Sequence, residues 1–117
     1  MSAEADLIAR YYEALARRDV EAVMAMTHPQ AAFGDFLEGG DLTGSAAIRA
    51  FYHRLFDTLA PDFDLLAVTV QPNGRMRAEM QVATHDSSGH LWSDTRSYAL
   101  YDVVDGLIHG IELQPAT

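Results

Sequence analysis

The 117-residue sequence contains no cysteine and, because all eight of its basic residues are arginine, no lysine. The first absence excludes disulfides, a thiolate nucleophile and thiolate-bound zinc. The second excludes a Schiff-base amine, a lysine general base and a phosphate-loop lysine. Long apolar runs are also missing, so no segment reads as a membrane-spanning helix. Positive charge is scarce: 17 acidic residues outnumber 8 basic ones, for a formal charge of −9. Such a surface repels phosphate and argues against nucleic acid as a partner. The N-terminus, "MSAEADLIAR", is acidic first and amphipathic after. That is the reverse of a signal peptide's layout, and the chain reads as cytoplasmic.

What is present fits one soluble domain over residues 1–117, with 49% hydrophobic residues and ordinary glycine and proline content. Ser2 is positioned to cap a first helix whose apolar stripe runs Ile8, Tyr11 or Tyr12, Leu15. Asp19 restarts a short second helix, "VEAVMAM", which ends before Pro29. "AAFGDFL" reads as a short strand and "EGGDLTG" as a loop. Ser45 then caps a third helix with the stripe Ile48, Phe51 or Tyr52, Leu55, closed by Leu59 before Pro61. Beyond Pro61 the period changes to two, giving four strands separated by "QPNG", "DSSG" and "VDG". Helices first and an antiparallel meander second predict an α+β fold. In it, three N-terminal helices pack in the concave face of a curved, mostly antiparallel sheet, a cone-shaped α+β barrel.

The open end of such a cone is a natural small-molecule pocket. Phe33, Phe36, Trp92 and Tyr98 are candidates for its lining. Asp35 stands between two phenylalanines, where an ionised carboxylate needs either a partner or a chemical task. Tyr11 and Tyr12 are adjacent, so on a helix they point about 100° apart and only one is expected to face the pocket. Trp92, Asp94, Arg96 and Tyr98 alternate along one strand face; if that face is the concave one, it brings a carboxylate and a guanidinium into the cone. Among the five histidines, none pairs at the spacing of a helical zinc site and HExxH is missing, so no metal is expected.

"RYYEALARRDVEAVMAM", "FGDF" and "LTGSAAIRAFYHRL", with the closing "YALYDVVDGLIHGIEL", resemble the nuclear transport factor 2-like superfamily. That group includes the ketosteroid isomerases and the SnoaL-like polyketide cyclases. From Tyr11 to Tyr52 the sequence registers on the isomerases without a gap. The resemblance implies that Asp35 is a catalytic base, that Tyr11 is an oxyanion donor, and that Tyr52 joins the substrate-binding residues. The second oxyanion position falls at Arg96, with Asp94 two residues earlier.

The function so implied is abstraction of a proton alpha to a carbonyl of a cyclic, largely apolar substrate, without a cofactor. Two alternatives stand beside it. One is a water-activating hydrolase or dehydratase using Asp35, Asp94 and Arg96. The other is a ligand-binding or dimerising domain without turnover, in which Asp35 and Arg96 form a structural ion pair. A homodimer paired through the outer sheet face is expected from the resemblance.

Overall fold

A computed structural model describes residues 3–35, 38–58, 60–86 and 88–114, with Ala60 and Trp92 described by their backbone alone. The expected Ser2 cap, Leu59 and Phe36 lie outside the described residues. Helix α1 spans Ala3–Ala16 and buries Leu7, Ile8, Tyr11, Tyr12 and Leu15, an apolar stripe at helical spacing. Its first turn carries Glu4 and Asp6, which favour the positive end of the helix dipole. Helix α2, Val20–Ala25, is capped by Asp19, whose side chain accepts the backbone N–H of Ala22 at 3.1 Å. Helix α3, Ser45–Thr58, begins at Ser45 itself and buries Ile48, Phe51, Tyr52 and Leu55.

The segment "EGGDLTG", expected as a loop, supplies a strand. Strand β2, Asp41–Thr43, pairs antiparallel with β1, Ala32–Gly34, and sets Leu42 opposite Phe33. Both side chains are buried. A three-residue strand with one inward apolar side chain is too short to show alternation in the sequence.

The four longer strands are β3 (Ala60–Val70), β4 (Met76–His85), β5 (Leu91–Val104) and β6 (Leu107–Gln114). They form one antiparallel sheet in chain order, the expected meander. Its inner face is set by β4, where Met76, Ala78 and Met80 are buried in alternation. On β5, Tyr101, Ala99 and Ser97 stand opposite those three. The hairpin between β5 and β6 turns on Asp105 and Gly106, with φ of 54° and 75°. Two consecutive left-handed residues match the strand twist of a two-residue hairpin. The helices cover the inner face, which gives the expected α+β architecture of helices packed on a curved antiparallel sheet.

Candidate functional site

Where α1 and α3 meet the inner sheet face, four tyrosines converge: Tyr11 and Tyr12 from α1, Tyr52 from α3 and Tyr101 from β5. All four are at most 4% exposed, and their polar atoms must therefore find partners within the protein. The Tyr11 and Tyr52 hydroxyls lie 2.6 Å apart, and those of Tyr12 and Tyr101 lie 2.7 Å apart. Tyr12 also donates to the sulfur of Met80 at 3.2 Å. A phenol has one proton to give, so in the second pair Tyr101 is the donor to Tyr12. That chain is complete. In the Tyr11–Tyr52 pair, two O–H groups share one hydrogen bond, so one proton has no acceptor among the described residues.

The same four rings line a cavity of about 30 Å³, room for one water-sized group. Leu15, Leu55 and Met80 complete its deep end, and the half-buried Phe63 and Ile111 lead out to the exposed Leu113. Burial pushes the Tyr11 hydroxyl up to about 12, against the smaller opposing effect of its bond to Tyr52. Burial likewise raises Tyr12, Tyr52 and Tyr101. At neutral pH these groups are protonated donors rather than bases.

Tyr11 lines the cavity, and Tyr52 lies beside it. The expectation that only one of Tyr11 and Tyr12 faces the pocket is corrected, because both line the cavity. The buried stripe of α1 is wide enough to contain two residues 100° apart. Phe33 packs edge-on against Phe51 and Tyr52, with ring centroids 6.1 and 6.4 Å away. It therefore forms part of the aromatic wall behind the tyrosines.

Asp35 follows β1 and is 7% exposed. Its Oδ2 accepts from the Arg54 guanidinium at 2.8 Å, and its Oδ1 accepts the backbone N–H of Glu38 at 3.0 Å. Its backbone closes the same turn, accepting from Gly39 and donating to Gly40. The carboxylate therefore ties the β1–β2 turn to the flank of α3. Arg54, at 37% side-chain exposure, also lies 3.7 Å from the Glu38 carboxylate. Asp35 keeps the strand phase of Phe33, two residues earlier, with the exposed Gly34 between them.

The face carrying Asp94, Arg96 and Tyr98 does not enter the cone; this corrects the facing expected from the sequence. It is the outer face of the sheet, where Arg96 bonds Glu79 at 2.8 Å and Asp94 accepts from Gln81. Tyr98 lies under the Arg77 guanidinium, 3.9 Å from its ring centroid. The inward residues of β5 are the odd ones, because Ala99 and Tyr101 pair with the buried set of β4. Asp35 and Arg96 accordingly have separate partners, Arg54 and Glu79. The Trp92 side chain and Phe36 lie outside the described residues.

Sequence reasoning weighed Tyr12 only as the alternative to Tyr11, and gave no site role to Tyr101, Met80 or Arg54. Tyr101 and Met80 carried a usable signal, since Tyr101 follows Ala99 by two residues and Met80 continues the alternation of Met76 and Ala78. No group of three or more acidic or histidine side chains that could hold a metal ion occurs among the described residues. None of their helices is long and apolar enough to cross a membrane.

The family model of the SnoaL-like domain matches residues 8–111. A structure labelled as a candidate polyketide cyclase from Xanthomonas campestris pv. campestris is 28% identical to this chain. It superposes with a TM-score of 0.81, covering 95% of this chain and 88% of that one. A nuclear transport factor 2-like protein of unknown function from Burkholderia pseudomallei shares the fold at 17% identity and a TM-score of 0.84, covering 99% and 92% of the two chains. A Mycobacterium tuberculosis protein in complex with estradiol-17β-hemisuccinate shares it at 15% identity and a TM-score of 0.82, covering 97% and 93%. No curated protein matches the sequence. The SnoaL-like match spans almost the whole domain and the fold is shared from end to end, so the chain belongs to the SnoaL-like family of the nuclear transport factor 2-like superfamily.

Proposed function

We propose that the protein is a small-molecule enzyme of the isomerase or cyclase kind. It binds a cyclic, largely apolar ketone by its carbonyl oxygen, which enters the water-sized cavity at the tyrosine cluster while the ring lies toward Phe63, Ile111 and the exposed Leu113. The observation that carries this reading is the O–H of the Tyr11–Tyr52 pair that has no acceptor among the described residues and borders the cavity. A ligand carbonyl supplies that acceptor. As negative charge develops on the carbonyl oxygen, a fixed buried donor stabilises it more than water would. The label of the Xanthomonas structure, a candidate polyketide cyclase, and the ligand of the Mycobacterium protein, a steroid ester, support a small-molecule site that accepts cyclic, largely apolar compounds.

Asp35 is the base of this mechanism. It takes the proton alpha to the carbonyl, the C–H electron pair moves into the carbon–carbon bond, and the carbonyl oxygen receives the charge under the tyrosine donor. Return of the proton to another carbon of the conjugated enolate completes an isomerisation, while attack of the enolate carbon on a second carbonyl, whose oxygen then takes the proton back from Asp35, completes a cyclisation. Phe33 supports the placement, because it touches Tyr52 and shares its strand phase with Asp35. Two copies pairing through the outer sheet face belong to the same proposal, and sedimentation tests that part.

Solvent-deuterium exchange into cyclic ketones, including an unconjugated ketosteroid, tests the chemistry. Wild type is expected to exchange the alpha protons, and a folded Asp35→Asn variant is expected not to. Undiminished exchange by that variant would overturn the assignment of the base. A second reading, binding without turnover, is favoured by the engagement of both Asp35 oxygens with Arg54 and Glu38. Under that reading wild type binds ketones and exchanges none.

A further inference from the structure

The Arg54 guanidinium faces two carboxylates of the β1–β2 turn. Its Nη2 donates to Asp35 Oδ2 at 2.8 Å, while its Nε lies 3.7 Å from Glu38 Oε2, just beyond a hydrogen bond. That Nε is shut off from solvent and has no hydrogen-bond acceptor among the described residues. A buried donor in that state is costly and calls for an acceptor within reach. Glu38 is such an acceptor: its side chain is 67% exposed and can change rotamer toward Nε without moving the backbone.

The backbone beneath Glu38 is tied down. Its N–H donates to Asp35 Oδ1 at 3.0 Å, and the Asp35 backbone closes the turn by bonds of 2.8 Å to Gly39 and to Gly40. Both glycines take left-handed backbone, with φ of 83° and 85°, a conformation that costs glycine little. Glu38 thus grips the carboxylate with its N–H and reaches the carboxylate's cation with its side chain.

We infer that Glu38 is a positioning residue that sets the strength of Asp35 as a base, by taking the Arg54 Nε–H and drawing part of the cation's charge away from Asp35. The inference rests on the proposed reading of Asp35 as the base. A guanidinium held by one carboxylate offsets its charge; held by two, it compensates each less fully. Less of the Asp35 charge is then offset, and the carboxylate takes a proton more readily. Glu38 does not line the tyrosine cavity, and its effect on the reaction passes through Arg54.

Glu38→Gln keeps an acceptor oxygen and removes the charge, so it isolates the electrostatic effect at an exposed position. The rate of solvent-deuterium exchange into saturating cyclic ketone should fall about threefold in this variant, within the worth of one partly exposed charge pair, with ketone affinity unchanged. In an Arg54→Gln background the same change should leave the rate unaltered, because the residue that carries the effect is gone. The Arg54 Nε–H proton resonance should lie downfield in wild type and move upfield in Glu38→Ala, which removes the acceptor. An unchanged rate in Glu38→Gln, an equal fall in the Arg54→Gln background, or an Nε–H resonance indifferent to Glu38→Ala would overturn the inference while leaving Asp35 as the base. Exchange that persists in Asp35→Asn, or no exchange by wild type, would overturn the base assignment and the inference together.

Discussion

The hydroxyl oxygens of Tyr11 and Tyr52, 41 positions apart in sequence, lie 2.6 Å from each other and join the first helix to the third at the floor of the cavity. Two donors sharing one hydrogen bond leave one proton for a ligand. The Tyr12–Tyr101 pair differs because its outer proton already reaches Met80.

The direction of those bonds predicts unequal costs for the same chemical change. Tyr101→Phe removes one hydrogen bond and leaves no donor stranded, a loss of about 1 kcal/mol. Tyr12→Phe strands the buried Tyr101 O–H without an acceptor, a loss of about 1–3 kcal/mol. Urea unfolding of the two variants should therefore rank Tyr12→Phe as the less stable. The reverse order would mean that the bonds run the other way.

Alkaline pH provides a second test. The folded-state pKa of Tyr11 is raised above its unfolded value of 10.0 to about 12, so the unfolded chain loses this proton first. The resulting stability is fully present below pH 10 and is lost as pH rises from there through 12. Tyr12, Tyr52 and Tyr101 are raised in the same sense and steepen the decline. Their tyrosinate absorbance should appear together with loss of the fold, as followed by circular dichroism. Ionisation of these groups while the fold persists would contradict their burial.

Asp35 and Arg54 separate a base from a brace. Arg54→Gln removes the cation from a buried carboxylate and should cost about 1–3 kcal/mol, less than a wholly buried pair because the guanidinium is partly hydrated. If Asp35 is the base, Asp35→Asn abolishes deuterium exchange, whereas Arg54→Gln retains a measurable rate. Loss of exchange in Arg54→Gln alone would count against the assignment.

Arg96 and Asp94 lie on the outer face in exposed pairs with Glu79 and Gln81. Arg96→Ala and Asp94→Ala should each change stability by less than about 1 kcal/mol and leave ketone affinity unaltered. A large loss of affinity in either variant would place these residues in the site after all.

The sequence made some of this legible and hid the rest for identifiable reasons. The helical stripes through Ile8 and Leu15 and through Ile48 and Leu55 were visible, as was the alternation Met76, Ala78, Met80. On β5 the run Tyr98, Ala99, Leu100, Tyr101 is apolar on both faces, so alternation alone could not tell inside from outside. The charged pair Asp94 and Arg96 favours the even-numbered face on chemical grounds, although that face is the outer one. Their partners, Glu79 and Gln81, lie on the neighbouring strand and become apparent only with the register. The carboxylate among phenylalanines was recognised at Asp35, but its cation lies 19 residues away on the flank of α3. No periodic signal marks a residue on a helix flank.

The most direct measurement is the carbonyl carbon resonance of a carbonyl-13C cyclic ketone bound to the protein. The account predicts a downfield shift relative to the ketone in an apolar solvent, a smaller shift in Tyr52→Phe and none in the double variant Tyr11→Phe/Tyr52→Phe. A bound ketone whose carbonyl resonates as it does in the apolar solvent would show that the tyrosine pair donates to nothing, and would contradict the central claim.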